Sequence, residues 1–221
     1  MKSEVRSPKS EQTTLVCFAL KEEAVSFQRL AAAHPEIHIL TTGIGRKNAE
    51  RSLRDFLADN SPKSVFTCGF AGGLNPELAL GTVTFKTADA LIGERLAAAG
   101  AKPAKFYCAS RIATTVAEKK KLRAETGADA VEMESEAIHA VCRERGIPCA
   151  TVRVITDTAN EDLPLDFNQL AGPDLSLDYG KLALAVAKSP GKTGALLRLQ
   201  KQTRFAAERL AGVLAKVIWL A

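Results

Sequence analysis

Apolar positions along the chain follow two rhythms, and they alternate. Short β-branched runs without helical spacing predict strands at Thr13 to Ala19, Ile37 to Thr42, Ser64 to Phe70, Gly81 to Phe85 and Cys149 to Thr156, with a further one over Lys105 to Ala109. Between them the apolar residues recur every three or four positions, as on the buried face of a helix: Ala24, Phe27, Leu30 and Ala31, then Ala49, Leu53 and Leu57. Thr115 to Thr126 reads as helix. So does the segment after Glu134, which buries Ala137, Ile138, Val141 and Cys142 until Gly146 and Pro148 stop it. Residues 86–104 read as loop with a short helix, and 160–180 as a surface loop. Ala183 to Lys188 and Gly194 to Trp219 read as helical.

Strands alternating with helices predict an α/β fold, a layered α/β/α arrangement around a central mixed, largely parallel sheet. The 221 residues suit one domain over 15–221, preceded by a polar tail at 1–14 and ending in basic helices at 181–219. A hydrophobic content of 46% fits a soluble globular chain, no apolar run reaches the roughly 20 residues that span a bilayer, and the N-terminus lacks a signal-like apolar stretch. A cytoplasmic location is the expectation. Cys17, Cys68, Cys108, Cys142 and Cys149 form no Cys-x-x-Cys pair and read as small reduced thiols; no metal site is expected.

Charge changes the picture at one end only. From Lys181 onward eight Lys/Arg face a single acid, Glu208, a net of +7 that leaves −2 for residues 1–180. A basic body for nucleic acid is therefore disfavoured. A basic, apolar C-terminal helix can instead rest on an anionic membrane surface, or pack on the body with its cations in water.

The candidate chemistry lies where strands end. Glu23 follows the first strand, Glu132, Met133 and Glu134 close an apolar approach at Ala130, and Asp157 ends the run from Cys149; open α/β sheets keep their binding crevices at such ends. Three carboxylates in one crevice suit the breaking of a glycosidic bond, in which the leaving group takes a proton and the sugar gains oxocarbenium character. Each has a second reading. Glu23 suits the first turn of a helix, Glu134 and Glu136 the N-terminus of the next, and Asp157 a turn with Arg153 as its structural partner. Gly43-Ile44-Gly45 and Gly69-x-x-Gly72-Gly73 follow strands and read either as tight turns or as bare backbone lining a pocket; Pro76, where a helix should start, excludes a dinucleotide fingerprint.

Taken together, these motifs resemble the nucleoside phosphorylase/nucleosidase superfamily, particularly the methylthioadenosine/S-adenosylhomocysteine nucleosidases. The resemblance rests on Ala19-x-x-Glu22-Glu23, Gly43-Ile44-Gly45, Ala71-Gly72-Gly73-Leu74, Val131-Glu132-Met133-Glu134 and Arg153-x-x-Thr156-Asp157-x-Ala159, in family order. It implies Glu23 as the acid/base that positions water, Glu134 as acceptor of the ribose hydroxyls, Met133 packed on the ribose and Asp157 at purine N7. Glu132, Phe70, Ala71, Gly72, Gly43 and Arg153 would complete the substrate site. It also implies an adenine nucleoside as small-molecule partner, no cofactor and a homodimer. Phe70 stands where the family has a small hydroxyl residue, and the loop from Ala19 to Glu23 lacks the arginine with which phosphorylases grip phosphate; both favour hydrolysis over phosphorolysis. No aromatic precedes Ser110-Arg111 at the base-stacking position.

Residues 105–221, with Leu163-Pro164-x-Asp166-Phe167-Asn168 and Gly194-Ala195-Leu196-Leu197-Arg198-Leu199, are similar to the hopanoid-associated branch, implicated in removing adenine from adenosylhopane. That similarity implies a 5′-modified adenine nucleoside, with peripheral membrane contact through the C-terminal helix.

Overall fold

The computed structural model describes residues 13–170, 191 and 193–219. Its elements run β1 (Thr14–Phe18), α1 (Lys21–Ala31), β2 (Ile37–Thr41), α2 (Arg46–Asp59), β3 (Ser64–Gly73), β4 (Val83–Thr87), α3 (Ala90–Ala98), β5 (Lys102–Pro103), β6 (Phe106–Cys108), α4 (Val116–Thr126), β7 (Ala130–Glu132), α5 (Ser135–Glu144), β8 (Cys149–Asp157), α6 (Phe167–Leu170) and α7 (Thr193–Ile218). The segment 86–104, read as mostly loop, holds the end of β4, all of α3 and the short β5. The helix expected over Ala183 to Lys188 lies outside the described residues, as does most of the tail at 1–14.

Eight strands form one mixed sheet in the order β2-β1-β3-β8-β4-β5, with β7 leaving from the end of β3 and carrying β6. β2, β1, β3 and β8 are parallel, β4 runs antiparallel to β8, and β7 antiparallel to the last residues of β3. β1 has β2 on one side and β3 on the other, so the chain reverses its direction of progress across the sheet there. Such a switch point opens a crevice at the strands' C-terminal ends.

Pleating sorts the core into two layers. Leu15, Cys17 and Val65 face α2 and α5, where Ala49, Leu53, Leu57, Ile138, Val141 and Cys142 close over them. Val16, Phe18, Phe66, Val152 and Val154 face the other way, against Phe27 of α1, Leu96 of α3 and Ala206, Leu210, Leu214 and Val217 of α7. The second half of α7 is thus core and has no apolar face left for a membrane. Its first half differs, since Leu197 is 54% exposed and Phe205 47%. Among the described residues no helix is long and apolar enough to cross a membrane.

Candidate active site

β3 positions the centre of the site. Gly69, Gly72 and Gly73, read as a turn after the strand, lie within it; the register shifts between Ala71 and Gly72, and the strand bends there to meet β7. At Gly69 the backbone has φ +149°, and a Cβ there would lie 2.6 Å from both Glu23 Oε1 and Arg153 Nη1. The absent side chain is what lets acid and guanidinium approach this strand.

Glu23 is buried in the first turn of α1. Its Oε2 accepts from the Leu20 backbone N–H (2.9 Å), as a helix-capping acid does, while Oε1 accepts from the Phe70 N–H of β3 (2.8 Å). The first-turn reading of this residue therefore holds, and the same carboxylate also reaches across to β3. Burial pushes its carboxyl up, against the pull of Arg153.

Glu134 stands at the N-cap of α5. It accepts from the Gly45 N–H at 2.8 Å and from Arg153 Nη2 at 3.3 Å; burial, with Glu132 and Glu23 nearby, still pushes it up to about 7. Glu132 takes the opposite course. Its oxygens accept from the Glu134 and Ser135 N–H groups, the Ser135 hydroxyl and Arg153 Nη2 (2.7 Å). Burial alone would raise it, but Arg153 and these donors hold it below the usual carboxylate range.

Asp157 closes β8, buried. Its partner is Lys119 of α4, not Arg153: Lys119 Nζ lies 2.6 Å from Oδ2, and the Thr156 hydroxyl donates to Oδ1 at 2.9 Å. Burial raises the carboxyl while Lys119 and Thr156 pull it back, the rise prevailing.

A cavity of about 560 Å³ joins these groups, within the range of small-molecule sites. Glu23, Phe70, Ala71, Gly72, Glu132, Met133, Glu134 and Asp157 all line it. Two expected contact residues stand behind the wall. In the loop after β2 it is Ile44 that lines the cavity and Gly45 that bonds Glu134, while Gly43 packs on Asn48. Arg153 lies beneath the floor, tied to Glu132, Glu134 and the Cys68 carbonyl (3.0 Å). It organises the acids without facing the cavity.

Sequence reasoning missed several walls. Ile112, Leu163, Phe167 and Asn168 close one side and Leu199 of α7 joins them. Asn168 pins two loops together, accepting from the Ile112 N–H (2.8 Å) and donating to the Ile112 carbonyl (3.0 Å). Phe167 supplies an aromatic wall. Leu163 to Asn168 carried a family motif, and that was the available signal; Lys119 had none.

With that geometry in place, a family model for the phosphorylase superfamily matches residues 101–187. The 5′-methylthioadenosine/S-adenosylhomocysteine nucleosidase of Staphylococcus carnosus is 24% identical over 214 residues, covering 77% of this chain and 93% of that protein. Among solved structures, the nucleosidase of the same description from Neisseria meningitidis, in complex with methylthio-immucillin-A, superposes with a TM-score of 0.69 at 17% identity, over 95% of this chain and 100% of that one. Futalosine hydrolase of Helicobacter pylori gives 0.66 at 17%, over 92% and 97%. The fold is that of nucleosidases and nucleoside phosphorylases. Over residues 101–187 the chain is similar to the phosphorylase superfamily.

Proposed function

We propose that the chain is a purine nucleosidase that hydrolyses the N-glycosidic bond of a 5′-modified adenine nucleoside. The observation that carries this reading is the meeting of Glu23, Glu134 and Asp157, distant in sequence, around one cavity that also takes Met133. Its relatives are named for hydrolysis of this class of nucleoside.

In the proposed reaction the ribose packs on Met133 with its hydroxyls donating to Glu134. The C1′–N9 bond breaks, its electron pair passes into the purine, and N7 takes the proton of Asp157. Water attached to C1′ gives its proton to Glu23. Release of the products and return of that proton through solvent to Asp157 reset the site. The arrangement follows the chemistry of glycosidic cleavage, with one carboxyl as acid and another activating water. A buried Asp157 suits the acid because burial favours its protonated form. The residues supply every proton the step needs, so the reading calls for no cofactor.

For the 5′ substituent we favour a lipid of the adenosylhopane type. Ile112, Leu163, Phe167 and Leu199 give the cavity an extended apolar wall, and exposed Leu197 and Phe205 on the first half of α7 sit among the cations Arg198, Lys201 and Arg204. That segment suits peripheral contact with an anionic membrane. A homodimer belongs to the same reading, and light scattering of the purified chain tests it.

The deciding assay compares adenine release from adenosylhopane and from methylthioadenosine, with and without inorganic phosphate. Phosphate-independent release supports the nucleosidase. Ribose 1-phosphate as product would make it a phosphorylase, and preference for the small thioether would reject the lipid.

A further inference from the structure

Lys119, behind Asp157 in the cavity wall, is the buried group that its own helix least explains. Lys119, Lys120 and Lys121 follow one another in the first turns of α4, and the latter two reach solvent. The Lys119 side chain is 0% exposed. A cation there meets the positive end of the helix dipole and forfeits its hydration. The helix is fixed regardless, by a capping box in which Thr115 accepts from the Glu118 N–H and Glu118 accepts from Thr115, and by Gly127 at its C-terminus.

The ammonium has three protons, and all three are placed. One goes to Asp157 Oδ2 (2.6 Å), one to the Thr158 carbonyl (2.8 Å) and one to the Glu161 carbonyl (2.7 Å). Two of these bonds clamp the loop that follows β8, and the third orients the carboxyl at its end. Resting on the nucleosidase reading above, we infer that Lys119 is a positioning residue for base departure: it fixes the Asp157 carboxyl in the cavity wall and supplies the positive charge against which that group gives its proton to the leaving purine. As the C1′–N9 electron pair enters the ring, the O–H proton of Asp157 moves to N7. The carboxylate left behind is the species that a buried ammonium stabilises.

Electrostatics agree with the geometry. Burial raises the Asp157 carboxyl, and Lys119 opposes that rise both by its charge and by its hydrogen bond. The other groups facing it are Thr156, whose hydroxyl donates to Oδ1, and Glu161 from the following loop, whose charge acts against Lys119. Glu161 is itself held by Gln202 of α7 at 3.1 Å.

Two variants test the inference. Lys119→Met removes the charge at similar volume, and Lys119→Gln keeps a donor for the loop carbonyls. A carbon-13 titration of the Asp157 carboxyl should show its midpoint raised by about 1–3 units in both variants; an unmoved midpoint overturns the inference. With methylthioadenosine as probe, kcat should fall about 10²-fold with KM within about twofold, and the alkaline limb of kcat/KM should move upward. A merely structural lysine would lower the melting temperature and leave that limb in place, which also overturns the inference. If the wild type releases adenine from neither methylthioadenosine nor adenosylhopane, the nucleosidase reading fails and this inference with it. If the wild type turns over and the variants keep its pH profile, only the role of Lys119 falls.

Discussion

The cavity is served by two buried cations, used in different ways. Arg153 spreads one planar guanidinium over a group of acids: it contacts Glu132 at 2.7 Å and Glu134 at 3.3 Å, and its charge also reaches Glu23. Lys119 places a compact charge on one carboxylate and spends its other protons on backbone. The outcomes differ accordingly. Beside Arg153 the closest acid, Glu132, is held low, while Glu134 and Glu23 are under-compensated and burial lifts them. One cation thus sorts its neighbours into a fixed anion and two adjustable ones, whereas Lys119 tunes a single acid.

The largest effect expected is on the Lys119 side. Asp157→Asn should cut base release roughly 10²–10⁴-fold and also cost stability, because Lys119 loses its counter-charge in the interior. Combining it with Lys119→Met should restore the melting temperature and leave turnover lost. If the double variant melts no higher than the single one, the pair is not coupled as described.

Arg153→Met should behave otherwise. It strands several acids at once, so a loss of about 3–5 kcal/mol in urea unfolding is expected, and no single acid-to-amide change should repair it. Full recovery by Glu132→Gln alone would reduce the network to a simple pair.

Next in size is Gly69→Ala. Its Cβ would press on Glu23 Oε1 and Arg153 Nη1 in a backbone conformation that suits glycine, a cost of about 1–3 kcal/mol, and it would displace the proposed base. Turnover should fall more than stability accounts for; activity equal to wild type would show that Glu23 needs no close approach to β3.

The remaining effect shows only as a dependence on pH. Glu134 holds its proton to about pH 7 when folded but only to about 4.5 when unfolded, so the native state binds the extra proton between those values. Its contribution to stability is complete below the unfolded value and is lost as pH rises through 7, on the order of 3 kcal/mol. Glu134→Gln should flatten that part of the curve in unfolding measured at pH 5 and pH 8. An identical pH dependence in the variant would mean that Glu134 is already ionised.

Much of the architecture was legible in the chain. Runs such as Thr14–Phe18 and Cys149–Asp157 are too apolar and β-branched to be anything but buried strands, and the stripe Ala49, Leu53, Leu57 can only be one face of a helix. Parallel strands align their C-terminal ends, so Glu23 and Asp157 had to approach one edge. Other features escaped a linear reading. Gly69 to Gly73 looks like a turn because glycine weakens strands, yet the pairing of β3 with β8 and β7 keeps it extended. The basic apolar helix at the C-terminus presents two stripes, and only packing against β8 and α1 shows which half is core.

Periodicity and the order of residues determined, unaided, the layers of this protein and which acids end its strands, because both follow from local backbone geometry and the burial of apolar faces. Which lysine of three turns inward, which acid Arg153 holds tightly and which it leaves adjustable were decided by the tertiary structure alone. Those outcomes depend on distances between groups dozens of residues apart, and on how far each is removed from water.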